Sequence, residues 1–277
     1  MDDRTGTVFG QLRLQLRGLQ RRALLEINQP TNFGKMDLVH LISRRLNLVN
    51  YLELCTPTTG NYYGEIKRWR FNTARRLMYN CPKGFDDGLP VDFKILGFDI
   101  EDAIEKLKAD TNKIDICLVD GWHTYDYTIR DLTCAYELLA DGGVLVVHDC
   151  LPSTELMASP AWIPGSWCGV VYKAFLDFVL ARNDLDYCTV NLDYGCGVIV
   201  KNRALLPFQS GDNSALLDNW FAIRNDDQNA FRFFMQNHAE LLRLIPAKAF
   251  VRRFKPRSIK RSSAVKGGKE AGEGALS

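Results

Sequence analysis

The chain is predicted to be an α/β protein: a doubly wound, mostly parallel seven-stranded sheet with an antiparallel C-terminal edge and extra helices at both ends. Three observations carry this. Apolar runs of strand length alternate with segments of helical spacing through most of the chain. The run 114–120 and the run 144–147 are joined by a segment with apolar residues at Ile129, Leu132, Ala135, Tyr136 and Leu139. Two strands joined by a helix make a right-handed parallel unit. The last two runs, 187–190 and 197–201, close around DYGCG as an antiparallel edge.

Taken in order, residues 8–27 (FGQLRLQLRGLQRRALLEIN) read as an amphipathic helix, although Leu12, Leu14 and Leu16 also alternate as in a strand. A second helix over 36–46 delivers the chain to a first strand at 47–54, followed by a Thr-Pro-Thr-Thr-Gly loop. Residues 61–80 are ambiguous, with a strand or short helix near 69–79, and CPKGFDDGLP is rich in turn residues. A short strand at 92–97 precedes a helix at 100–109 for which Asp99 is a plausible cap. After the 114–147 unit come a Pro-rich loop at 153–166, a helix at 167–180, the two closing strands and a helical, aromatic stretch at 214–246. This divides the chain into an N-terminal helical segment (1–46), an α/β domain (47–202), a C-terminal helical extension (203–250) and a basic tail expected to be disordered (251–277).

Length and composition suit one large α/β domain with appendages: 277 residues, 46% hydrophobic and 25% charged. No apolar run approaches the roughly 18 residues of a membrane span, and the Arg-interleaved N-terminus does not resemble a signal peptide. Eight cysteines occur with no CxxC pair, several within apolar patterns. That favours reduced, buried thiols and a cytoplasmic protein. The net charge of +2 is uneven. After Phe250 there are eight Lys/Arg against Glu270 and Glu273, so the rest holds 27 basic against 31 acidic residues. No aromatics interleave with the basic residues after Phe254, which disfavours a nucleic-acid partner. The aromatic C-terminal helices are expected to form core or an oligomer surface, a homo-oligomer being the partner class they allow.

The strongest functional signal is IDICLVDGWHTYDYTIRDLTCAYELLADGGVLVVHDCLP at 114–152. One strand ends in Asp120 and the next in His148 and Asp149, with His123 and Tyr125 in the loop between. In a doubly wound sheet the carboxyl ends of the strands share one edge, where ligands bind. Asp120, His123, His148 and Asp149 are therefore expected to converge on one crevice. Arg130 and Asp131 read as a structural ion pair or solvated face. Trp162 and Trp167 flank a segment that could lie over the crevice or pack in the core.

These residues resemble the class I S-adenosylmethionine-dependent methyltransferases, in particular the O-methyltransferase group with sugar, macrolide and cephalosporin-hydroxylase-like members. In that group a strand ends in Asp-Gly-x-His with a Tyr two residues later (Asp120, Gly121, His123, Tyr125). An Arg-Asp pair follows (Arg130, Asp131), then a Gly-Gly turn (Gly142, Gly143) before a strand ending in His-Asp (His148, Asp149). The resemblance spans roughly 48–201. It implies a Rossmann-like methyltransferase fold and S-adenosylmethionine as cofactor, held by Glu53, Gly60, Asp99 and Asp120. It implies His123, with Asp120 and His148, as the catalytic group, and Mg²⁺ on Asp120 and Asp149 as an optional metal. The implied reaction is methyl transfer to a hydroxyl of a small-molecule acceptor, a sugar or glycosylated metabolite. The cofactor loop departs from the family pattern Glu-x-Gly-x-x-x-Gly: Cys55 stands at the first glycine and Pro57 stiffens the loop. The alternatives are therefore a non-catalytic relative that has lost the cofactor and a hydroxylase-associated relative.

Overall fold

A computed structural model describes residues 33–58, 62–110, 113–202 and 214–254. The elements in chain order are α1 (Lys35–Leu46), β1 (Asn50–Cys55), β2 (Thr73–Met78), β3 (Phe93–Lys94), α2 (Glu101–Ala109), β4 (Ile114–Asp120), α3 (Tyr125–Leu138) and β5 (Leu139–Val147). They continue with α4 (Val171–Leu180), β6 (Leu185–Asn191), β7 (Cys196–Lys201), α5 (Ser214–Ile223), α6 (Asp227–Leu241), β8 (Leu244–Pro246) and α7 (Ala247–Arg253). The strands form one sheet in the order β3-β2-β1-β4-β5-β7-β6-β8. Its first five strands are mutually parallel, β7 is antiparallel to β5 and β6, and β8 runs parallel to β6.

The central strands are buried on both faces because their side chains alternate between two apolar clusters. Leu52 and Leu54, Cys117 and Val119, and Leu145 and Val147 enter one cluster with residues of α2, α3, α4 and α6. Tyr51, Ile116 and Leu118, and Val144 and Val146 enter the other with residues of α1 and α7. Two-sided burial is why these runs read as continuously apolar. Each such side chain contributes about 1.5–3 kcal/mol on leaving water.

The expected fold class stands, with differences in detail. The sheet has eight strands among the described residues, not seven. The stretch 214–246 is not one helical block: α5 and α6 are separated at residues 224–226 and the chain then adds β8 to β6. Asp226 forces the break, because its carboxylate caps α6 by accepting the Asn229 amide at 3.1 Å. The helix expected from residue 167 starts at Val171, because Trp167, Cys168 and Gly169 are held in the preceding loop. The ambiguous 61–80 stretch resolves into a single 3₁₀ turn (Arg68–Arg70) and β2. The helix expected at 8–27 and the tail beyond residue 254 lie outside the described residues. No described helix is long and apolar enough to cross a membrane.

The order reverses between β1 and β4, whose neighbours then run outward in opposite directions. Such a switch point opens a crevice at the carboxyl ends of the two strands. Cys55 of β1 pairs with Asp120 of β4 at that edge.

Candidate functional site

Asp120 ends β4 and is fully buried. Gly121 follows, and a side chain there would overlap the Asp131 carboxylate and the Tyr79 hydroxyl. Only glycine lets the chain turn there so that His123 comes back over the strand end. The His123 backbone carbonyl accepts from the Val170 amide at 3.0 Å, so the start of α4 is tied to this loop. Gly169 allows that approach, with φ of +57° and no room for a Cβ beside His123. The β5 ladder ends with the His148 amide on the Val119 carbonyl, and Asp149 then turns the chain with φ of 61°. A non-glycine residue held there is strained, as residues at functional sites often are.

The expected convergence of Asp120, His123, His148 and Asp149 is found. His123 Nε2 lies 3.2 Å from Asp120 Oδ1 and 3.3 Å from Asp149 Oδ2. His148 Nδ1 lies 2.9 Å from Asp149 Oδ2 and 3.3 Å from Asp120 Oδ2. His123 Nδ1 is 2.8 Å from the Trp167 carbonyl oxygen, which only accepts, so Nδ1 carries a hydrogen. Nε2 faces carboxylate oxygens only. Its burial would lower its pKa, but the Asp120 hydrogen bond and the Asp149 charge raise it. His123 at rest is thus an imidazolium. His148 behaves alike: burial opposes its charge, and Asp120 and Asp149 raise it well above the usual range. Burial would raise the Asp120 carboxyl, yet the His148 and Lys35 charges hold it well below its usual value.

Two members of this cluster were missed from sequence. Lys35, the first residue of α1, places Nζ 3.0 Å from Asp120 Oδ2. Asp193, in the β6–β7 turn, places Oδ2 3.4 Å from His148 Nε2. Each leaves a signal. A cation at a helix N-terminus opposes the macrodipole, so Lys35 needs a reason to be there. Asp193, Tyr194 and Gly195 all have positive φ (46°, 58° and 87°), which marks DYGCG as more than a plain hairpin turn.

The remaining candidates are placed apart. Glu53 is buried, with Oε2 accepting from Tyr51 Oη at 2.9 Å and Oε1 from the Tyr62 amide at 3.0 Å. Burial raises its carboxyl above the usual range against those bonds. Asp99 is exposed at the start of α2, where it accepts from the Glu101 amide at 3.4 Å. Gly60 lies outside the described residues. Tyr125 points to Asp177 at 2.7 Å and lines a separate cavity of about 340 Å³ with Lys173, Arg224 and Asp227. Trp167 is buried, edge-on to Trp122 at 5.1 Å and beside the His123 ring at 5.2 Å, whereas Trp162 is exposed. Arg130 and Asp131 form an ion pair at 2.8 Å around a fully buried carboxylate.

A family model described as a methyltransferase domain matches residues 44–150. Over this stretch the chain belongs to the class I S-adenosylmethionine-dependent methyltransferases. The methyltransferase domain thus runs from the end of α1 to just past β5 and contains Glu53, Asp120, His123, His148 and Asp149. No curated protein matches the chain. Among solved structures, the O-methyltransferase TomG of Streptomyces achromogenes, in complex with SAM, is 18% identical and has a TM-score of 0.45; the match covers 61% of this chain and 80% of TomG. An O-methyltransferase of Bacillus cereus in complex with SAH is 13% identical with a TM-score of 0.43, over 68% of this chain and 91% of that one. The methyltransferase MycE, in complex with Mg, SAH and mycinamycin VI, is 15% identical with a TM-score of 0.37, over 59% of this chain and 48% of MycE.

The donor set fits a divalent cation. His123 Nε2 and one oxygen each of Asp120 and Asp149 lie within 4.8 Å of one another. The other His123 nitrogen donates to a backbone carbonyl, as in metal-binding histidines. Mg²⁺ prefers an all-oxygen set, so the imidazole weakens the case for that ion relative to Mn²⁺ or Zn²⁺. S-adenosylmethionine does not fit the described residues as they stand. The space beside Asp120, His123 and His148 is about 10 Å³, enough for one water, whereas ligand pockets span roughly 300–1,000 Å³. Both oxygens of Glu53 are already engaged.

Proposed function

We propose that this chain is an O-methyltransferase that places a methyl group from S-adenosylmethionine on a hydroxyl of a small molecule, with a sugar or glycosylated metabolite as the acceptor class. The observation that carries the reading is the meeting of His123 Nε2 with Asp120 and Asp149 at the ends of β4 and β5 inside a methyltransferase domain. Methyl transfer to a hydroxyl needs a proton acceptor at the oxygen, and an imidazole supplies one near neutral pH. Here the Trp167 carbonyl fixes the ring, so only Nε2 can act. Asp120 and Asp149 orient it and stabilise the imidazolium that results. Because Nε2 starts out protonated, the working form of His123 arises when that proton has left. A divalent cation held by Asp120 and Asp149 would also bind the acceptor oxygen and lower its pKa. His148 bridges Asp120 and Asp149 to Asp193 and keeps the carboxylate pair in place.

A cytoplasmic location belongs to the same reading: every cysteine is a free thiol and all but Cys134 are buried. Mass-spectrometric detection of methylated product from a panel of hydroxylated sugars, glycosides and catechols tests the reaction. Product from at least one class, lost in His123→Gln, is expected. No product from any class with S-adenosylmethionine and either Mg²⁺ or Mn²⁺ present would overturn the assignment.

A further inference from the structure

The reaction outlined above makes no use of Lys35, although its ammonium lies at the centre of the site. Nζ is 3.0 Å from Asp120 Oδ2, 3.1 Å and 3.2 Å from the His148 ring nitrogens, and 3.8 Å from Asp193 Oδ2. It also sits 3.6 Å from the centroid of the Tyr62 ring. A carboxylate on one side and an aromatic face on the other is the arrangement that selects a cation. The Tyr62 amide meanwhile closes one oxygen of Glu53. One side chain and its roof thus fill the switch-point crevice and leave it the size of a single water.

The way out is already built. Leu38, Val39, Leu41 and Ile42 anchor α1 in the core, so the helix body stays. Its first turn is lightly held: the Gly34 amide donates to Asp37 Oδ2 at 3.0 Å, and the Leu38 amide to the Gly34 carbonyl at 3.1 Å. Nothing packs where a Cβ on Gly34 would lie, so the backbone there can turn without a clash.

We propose that Lys35 is a tethered occupant of the cation place in this domain. A cation-bearing ligand, such as the ammonium group of the cofactor or a divalent metal, enters by exchange with Lys35, and the first turn of α1 withdraws as it does so. The choice of ligand rests on the methyltransferase reading; the exchange itself rests on the contacts of Lys35. It also accounts for a methyltransferase domain whose crevice has no room for its cofactor.

The test is calorimetric titration of the full chain and of Lys35→Met with S-adenosylhomocysteine and, separately, with MgCl₂. Hydrogen exchange of the Leu38 amide is followed in the wild-type chain with and without each probe. Exchange predicts that Lys35→Met binds S-adenosylhomocysteine at least tenfold more tightly, and that saturating probe speeds Leu38 exchange in the wild type. If Lys35→Met does not fold, the wild-type exchange rate decides alone. Equal or weaker binding by Lys35→Met, or a Leu38 amide no faster when ligand is bound, overturns the proposal and leaves the methyltransferase reading standing. Tighter binding of Mg²⁺ alone upholds the exchange and removes the cofactor from the reading. Binding of neither probe by either protein overturns both.

Discussion

Gly121→Ala tests how the loop between Asp120 and His123 is built. The added methyl group overlaps the Asp131 carboxylate and the Tyr79 hydroxyl. Those two groups share a buried hydrogen bond of 2.5 Å, and Tyr79 Oη also accepts the Trp122 amide at 2.6 Å. Neither can retreat. Tyr79 is fully buried, and Asp131 is clamped by Arg130 at 2.8 Å. Overpacking of this kind costs about 1–3 kcal/mol. Losing the charge-assisted Tyr79–Asp131 bond adds about 1.5–3 kcal/mol. The two effects overlap, so a loss of about 4 kcal/mol is expected, or about 8–16 °C in Tm for a domain of this size. Urea unfolding followed by circular dichroism gives the midpoint and slope. Methyl transfer should fall as well, because the same residue sets the distance from His123 to Asp120. A loss under about 1 kcal/mol with full activity would refute the claim that only glycine fits.

Asp120→Ala should abolish activity and also weaken the fold, because Lys35 and His148 would keep buried positive charge beside a missing carboxylate; a destabilisation of about 3–5 kcal/mol is expected by denaturant titration. His123→Gln should lower the turnover by about 10²–10⁴-fold with little change in the amount of folded protein, read from initial rates and circular dichroism. Burial pushes the Asp131 carboxyl up to about 6 against the pull of Arg130 and the Tyr79 hydrogen bond, with His123 the next charge facing it. The folded-state value lies above the unfolded one, so this group favours folding at low pH. Its contribution fades as pH rises from about 4 to about 6, by about 3 kcal/mol in all. Asp131→Asn should flatten that part of the stability–pH curve; an unchanged curve counts against the assignment. Ending the chain after residue 249 should lower Tm, since it removes Phe250 and Phe254, which stack at 4.8 Å in the core, and the Val251 and Phe254 carbonyls that accept from Arg45.

The fold class was legible in sequence because strands buried on both faces carry an unmistakable apolar run, as Val144 to Val147 do, and because the helices between them keep their 3.6-residue period. The acids and histidines at the ends of β4 and β5 were legible for a topological reason: parallel strands put their carboxyl ends on one edge whatever the loops do. The extra strand β8 was not legible. Its three residues, Leu244–Pro246, carry too little period to tell from the helix before them, and only pairing with β6 makes them a strand.

The site shows the same division. The motif that ends in His123 fixed which groups meet, since Asp120 and His123 are three residues apart and Gly121 allows the turn between them. It could not say what else would meet them. Lys35 is separated from Asp120 by 85 residues and from His148 by 113, and no local pattern links such positions. Packing of α1 against the sheet decides that contact, and with it whether the crevice is open. The sequence by itself determined the sheet, its reactive edge and the kind of chemistry that edge offers, because these follow from local periodicity and chain direction. Only the tertiary structure decided that the edge is occupied, because a buried charge takes its place from the distant groups that neutralise it.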